Sequence, residues 1–178
     1  MKKTGIRLVL PCKKYLKSWI TFQEEVLADM PKNHSDYAGY EKHLAASRKP
    51  EYFKWLREDR LGVGLKKGRV PQTVWWGIVG TKVVGRISFR HRLNAELKVL
   101  GGHIGYAVRP SARGKGYATA ILGLVLRKVA KMGYKKVLLT CDADNIASRK
   151  TIEANGGRLT KTFSHEGKPE CHYWISLK

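Results

Sequence analysis

The segment that most restricts the fold is Val108-Arg109-Pro110-Ser111-Ala112-Arg113-Gly114-Lys115-Gly116-Tyr117-Ala118. It follows Gly102-His103-Ile104-Gly105-Tyr106-Ala107-Val108, which reads as a strand. It precedes Ala118, Ile121, Leu122, Val125, Leu126 and Val129, which fall on one face of a helix, with Gly133 as a C-terminal cap. The first turn of such a helix has unpaired N–H groups and the positive end of the helix dipole, a ready place for a phosphate. Gly114 and Gly116 carry no Cβ, so main-chain amides can approach an anion closely. Arg113 and Lys115 add positive charge. The loop therefore suits an anion of pyrophosphate size, the alternative being a glycine-softened helix start without a ligand.

Two phosphate loops are excluded. A Walker loop needs GxxxxGK followed by Ser or Thr, which the segment lacks. A dinucleotide fingerprint needs a third glycine where Thr119 stands, and an acid about twenty residues on, whereas the first acid downstream is Asp142.

The same residues carry a resemblance. Arg113, Gly116 and Ala118 fit the signature Arg/Gln-x-x-Gly-x-Gly/Ala with which the GNAT-type N-acetyltransferase superfamily binds acetyl-CoA. A second block follows in order: Leu138-Leu139-Thr140-Cys141, Asn145-Ile146-Ala147-Ser148, and Ile152-Glu153-Ala154-Asn155-Gly156-Gly157. It resembles that family's next strand, its Asn-led helix start and its closing turn. The resemblance covers residues 72–178, and residues 1–70 match only in the order of elements. It implies an α/β (α+β) single-domain fold over 1–178: a twisted, mixed but mostly antiparallel sheet of about six or seven strands, two splayed apart, with about four flanking helices. Residues 1–70 would supply a first strand and the acceptor-side helices, and 72–178 the acetyl-CoA-binding core. The implied reaction is transfer of acetyl from acetyl-CoA to a primary amine in a ternary complex. Val108 would bind the pantetheine arm through its backbone. The amides of Arg113, Gly114, Lys115, Gly116, Tyr117 and Ala118 would cradle the pyrophosphate, and Asn145 and Ser148 would touch the arm from the next helix.

A lysine-like amine is only about one part in 2,500 neutral at pH 7, a handicap of roughly 4.6 kcal/mol, so a base should lie near the acceptor. His103, on the strand entering the loop, is the first candidate and Glu96 the second. Each has a plainer reading, as a histidine bonded within the sheet and as a surface acid. Relatives often protonate the departing thiolate with a Tyr seven residues after the helix-opening Asn. Here that position is Ile152, which leaves Tyr173 and Cys141 as substitutes. The acceptor pocket is expected from the N-terminal helices and residues 90–101. Aromatics crowd those helices: Trp19, Phe22, Tyr37, Tyr40, Tyr52, Phe53 and Trp55, with Trp75 and Trp76 on a strand. Asp29, Asp36 and Glu41 could draw a cationic acceptor or simply be solvated.

Along the rest of the chain, 6–10 reads as a strand and 15–30 as a helix. Ser35 or Asp36 could cap a second helix, and Tyr52 to Leu56 opens a third. Thr73–Val79 and Val83–Phe89 form a hairpin, 90–101 is irregular, and 136–141, 145–154, 158–163 and 172–177 supply a strand, a helix and two closing strands. Lys and Arg number 35 against 14 Asp and Glu, a formal charge of +21. The first 70 residues hold 16 basic and 8 acidic groups, the remainder 19 and 6, so the charge is spread without a basic tail. Such a field admits a second reading, a catalytically silent acetyl-CoA binder or a basic RNA- or ribosome-associated protein on the same fold. Three scattered cysteines, Cys12, Cys141 and Cys171, have no metal spacing and suit reduced thiols in the cytoplasm. No stretch is long and apolar enough to cross a bilayer. The expected partners are a small-molecule or protein amine and no membrane. The oligomeric state is open, a homodimer included.

Overall fold

A computed structural model describes residues 5–34 and 36–177. Among these residues seven strands form: β1 (Arg7–Val9), β2 (Gln72–Val79), β3 (Lys82–Arg90), β4 (Ile104–Val108), β5 (Lys136–Asp142), β6 (Arg158–His165) and β7 (Lys168–Ser176). Six α-helices accompany them: α1 (Leu16–Asp29), α2 (Tyr37–Ser47), α3 (Tyr52–Leu61), α4 (Ala95–Val99), α5 (Tyr117–Lys131) and α6 (Ile146–Glu153). Every ladder is antiparallel. The sheet expected as mixed but mostly antiparallel is antiparallel throughout the described residues and falls into two parts, ordered β1-β2-β3-β4 and β5-β7-β6, the expected splay being the seam between β4 and β5. The α-helices among the described residues number six where about four were expected.

The additional helix α4 lies in the stretch read as irregular. Asn94 caps it, its side chain accepting from Leu97 N at 2.8 Å, and five residues are too few for an apolar period to show. Asp36 precedes α2 without a side-chain cap bond, and the alternative cap, Ser35, lies outside the described residues. Gly133 follows α5 with φ 91°, the left-handed residue past a helix end.

Two apolar clusters sandwich the four-stranded sheet. On one side α5 lays Ile121, Leu122, Val125 and Val129 over Ile87, Phe89 and Ile104, and the cluster continues into Val137, Leu139, Tyr173 and Ile175 of the second sheet. On the other, Trp19, Phe22 and Val26 of α1 meet Val74, Trp76 and Ile78 of β2. Trp19 stacks between Phe22 and Trp76 with ring centroids 5.0 Å from each. Each of these side chains buries about 1.5–3 kcal/mol of apolar surface, so α1 is fixed against the sheet and carries the loop contacts described next.

Candidate active site

β4 ends at Val108, and Arg109 turns the chain, its N donating to Val84 O at 2.9 Å. One turn of 3-10 helix, Pro110–Ala112, leads to the glycines. Gly116 sits at the N-cap of α5 with φ 75°, where a side chain would strain the backbone. The amides of residues 114–118 find no acceptor among the described residues, so five N–H groups are presented at the positive end of α5.

The outer side of the loop is tied to α1. Glu25 accepts from Arg109 Nε at 2.8 Å and from Ser111 Oγ at 2.7 Å, and Asp29, one turn on, accepts from Arg113 Nη1 at 2.7 Å. The Arg109 hydrogen bond chiefly holds the Glu25 carboxyl down to about 2, against burial, which pushes the other way. The guanidinium of Arg113 is thus turned to Asp29. Lys115 stays exposed at the glycines.

The seam between β4 and β5 is fastened at one end. His103 N donates to Leu138 O at 2.7 Å, Leu138 N donates to His103 Nδ1 at 2.9 Å, and Gly101 N donates to Thr140 Oγ1 at 2.7 Å. Beyond these bonds β4 and β5 share no ladder pair, so the seam between the two sheets is unpaired along the rest of β4, up to Val108 and the glycine loop. Tyr106 spans the seam, its hydroxyl 2.8 Å from Ser148 Oγ on α6. Burial pushes the Tyr106 phenol up to about 12. Tyr106 also borders a cavity of about 480 Å³. That cavity lies between the N-terminal helices, residues 94–97 and the β3–β4 face, where the acceptor pocket was expected.

Its lining departs from expectation. Of the expected aromatics, Trp19, Tyr40 and Trp55 line it, while Phe22 and Trp76 are core residues without exposure. Of the acids only Asp36 does so, since Asp29 is engaged by Arg113. Arg69, Arg86 and Arg90 stand there as well. Arg86 and Arg90 were missed, although Arg86-x-Ser88-x-Arg90 is a period-2 signal in a strand, marking one polar face of β3.

Of the proton-transfer candidates, Glu96 lines the cavity. His103 is 8% exposed and its Nδ1 is occupied by Leu138; burial holds its pKa below the usual range. Tyr173 is buried, accepting from Arg149 Nε at 3.0 Å and donating to Glu153 Oε1 at 2.9 Å. Burial raises the Cys141 thiol to about 11. Ile152, in the position of the relatives' tyrosine, is a core residue. Asn145 does not project freely: its Oδ1 accepts from Ser148 N at 3.0 Å and caps α6. No cluster of metal-binding side chains occurs among the described residues.

The comparisons agree with this anatomy. The family model for the acetyltransferase (GNAT) domain matches residues 22–158. No curated protein matches the chain in sequence. Among solved structures, a microcin C7 self-immunity acetyltransferase, MccE, in complex with acetyl-CoA and AMP superposes with a TM-score of 0.71 at 19% identity, over 97% of this chain and 93% of that one. RimJ of Mycobacterium smegmatis, in complex with a CoA disulfide, gives 0.69 at 19% identity over 97% and 83%. RimL, a ribosomal L7/L12 alpha-N-protein acetyltransferase in complex with coenzyme A, gives 0.67 at 16% over 99% and 97%. At these identities the superpositions speak for the fold, and the family match, across more than half of the chain, fixes its kinship: the protein belongs to the GNAT acetyltransferases.

Proposed function

We propose that the protein transfers the acetyl group of acetyl-CoA to a primary amine, both substrates being bound together and the amine attacking the thioester directly. The observation that carries this reading is the junction at Tyr106. An amide-lined loop and an unpaired seam lie on one side of it, and a cavity open to solvent on the other. The residues present fit acetyl-CoA: five unpaired amides from Gly114 to Ala118 for the pyrophosphate, and the unpaired gap between β4 and β5 for the pantetheine arm. Ser148 borders that gap, and Asn145 fixes the helix start that holds Ser148.

In this reading the Val108 amide polarises the thioester carbonyl, a contribution of roughly 2.7–4 kcal/mol for one such donor. Glu96, the carboxylate on the cavity wall beside Leu97, takes the amine proton through water. The thiolate, with a pKa of about 8.5, departs with little help, and the Tyr106 and Ser148 hydroxyls are the groups in place to solvate it. The reduced cysteines suit the cytoplasm, where the thioester is available.

The test is calorimetric titration with acetyl-CoA of the native protein and of Gly116→Val, in which a β-branched side chain cannot hold φ 75°. Micromolar binding by the native protein, at least ~10-fold weakened in the variant, is the expected result. Equal heats from the two proteins, or none from the native one, would overturn the reading.

A further inference from the structure

Three guanidinium groups line the cavity that faces the acetyl-transfer point, an unusual wall for an enzyme whose acceptor is an amine. Arg69 is exposed at the rim, while Arg86 and Arg90 rise from the same face of β3, with Ser88 between them. Arg90 is already employed: its Nη1 donates to Gly101 O at 2.7 Å and to Gly102 O at 3.0 Å, and burial pulls its pKa down to about 10. Arg86 is in the opposite condition. Its Nε is buried, and no acceptor answers it among the described residues. The described ion pairs leave all three arginines without a carboxylate partner. Two acids share the lining, Asp36 and Glu96, both exposed.

The positive field is felt by the neighbouring side chains. Burial chiefly, then Arg86 and Arg69, drives the pKa of His43 down to about 3, so this imidazole is neutral at physiological pH. Its Nδ1 lies 3.2 Å from Gln23 Oε1. An unprotonated imidazole between arginines adds no charge of its own, and the net sign of the inner wall is positive. A buried, unanswered guanidinium donor is costly unless a ligand completes it, and guanidinium geometry matches a planar or tetrahedral oxyanion. Tyr40 and Trp55, from the N-terminal helices, supply apolar surface for the body of the ligand, while Trp19 reaches the lining only by the edge of a ring stacked between Phe22 and Trp76. A cavity of about 480 Å³ is of the size that holds a small molecule.

Resting on the acetyl-transfer reading above, we propose that the acceptor is a small amine that also bears an oxyanion, carboxylate or phosphate. Arg86 grips that group, Arg69 assists from the rim, and the amine is thereby aimed at Tyr106 and the seam. The cation-binding pocket that an amine would ordinarily invite is replaced by recognition of the far end of the molecule. This arrangement leaves the amine free to lose its proton, since no carboxylate need clamp it as an ammonium.

The experiment keeps the protein saturated with acetyl-CoA, so that the glycine loop is filled and cannot report. Inorganic phosphate and acetate are titrated separately against the tryptophan fluorescence, Trp19 and Trp55 being in the wall. In parallel, CoA release is measured on matched amines: phosphoethanolamine and β-alanine against ethanolamine and propylamine. Expected are a saturable fluorescence change with at least one of the two anions and a kcat/KM at least ~10-fold higher for the matching anionic amine. Both should be lost in Arg86→Gln and partly retained in Arg86→Lys, while acetyl-CoA titration heats remain native in both variants. Whichever anion responds distinguishes phosphate from carboxylate. Flat titrations with both anions, equal turnover of charged and uncharged amines, or an unaltered preference in Arg86→Gln would overturn the proposal with the acetyl-CoA reading intact. Failure of the native protein to bind acetyl-CoA would instead remove the reading beneath it.

Discussion

A histidine on the strand that enters the glycine loop can act as a base or as a strut, and its neighbours distinguish the two. His103 contributes its backbone N–H and its Nδ1 to the same residue, Leu138, and its ring lies 6.2 Å from those of Phe89 and Trp174. This is the position of a strut. His103→Ala would leave the buried Leu138 N–H without an acceptor and cost about 1–3 kcal/mol in chemical denaturation. The pH profile of acetyl transfer should keep its shape, and loss of its acid limb would return the proton to His103. Glu25 makes a second prediction. Its carboxyl is ionised down to about pH 2 in the folded protein, below its usual value of about 4.5, because Arg109 donates to it. The folded pKa is depressed, so the stabilisation is fully present above pH 4.5 and fades as pH falls toward 2. The Glu25 side chain is 29% exposed, so solvent screening reduces the expected contribution to about 1–2 kcal/mol. Urea denaturation of Glu25→Gln against the native protein should show that gap at pH 7 and a narrowed one at pH 3. A gap that persists unchanged would mean the pairing is not what Glu25 supplies.

Among the elements, the relation of β4 to β5 is what the proposed thioester site depends on. Gly102 stands at the fastened end with φ 56°, and a Cβ there would come within 2.4 Å of Leu138 O, a main-chain atom that cannot swing aside. Gly102→Ala should therefore force the two sheets apart where they are joined, with a loss of at least about 2 kcal/mol measured by thermal unfolding and a parallel loss of acetyl-CoA affinity. An alanine variant with native stability and affinity would show that the seam is not held there. The same reasoning explains what could and could not be read beforehand. The glycine loop and α5 were legible because a helix of fifteen residues repeats its apolar face several times. α4 was not, because one turn and a half gives no period. Asn145 was expected to touch the pantetheine arm, and its cap bond to Ser148 is visible only once α6 is built.

At the scale of the whole molecule the charge of +21 is spread over both halves of the chain, and part of it is concentrated where it can act. The exposed Lys115 lies at the amide cradle and Arg69 at the rim of the cavity, so both openings face an anion with a positive field. Acetyl-CoA association should consequently be steered: its rate constant, followed by stopped-flow fluorescence, is expected to fall several-fold between about 20 and 200 mM salt, with a smaller change in dissociation. A rate indifferent to salt would assign the excess charge elsewhere, and firm retention on heparin in the presence of acetyl-CoA would favour the nucleic-acid reading. The sequence by itself determined the longer elements and the glycine loop, because glycine positions and apolar periods are properties of neighbouring residues. Tertiary structure alone decided that the sheet divides at β4, that His103 joins its halves, and that arginines from β3 meet aromatics from α1–α3 around one cavity. Those outcomes depend on which distant faces pack together, and one-dimensional spacing holds no record of that.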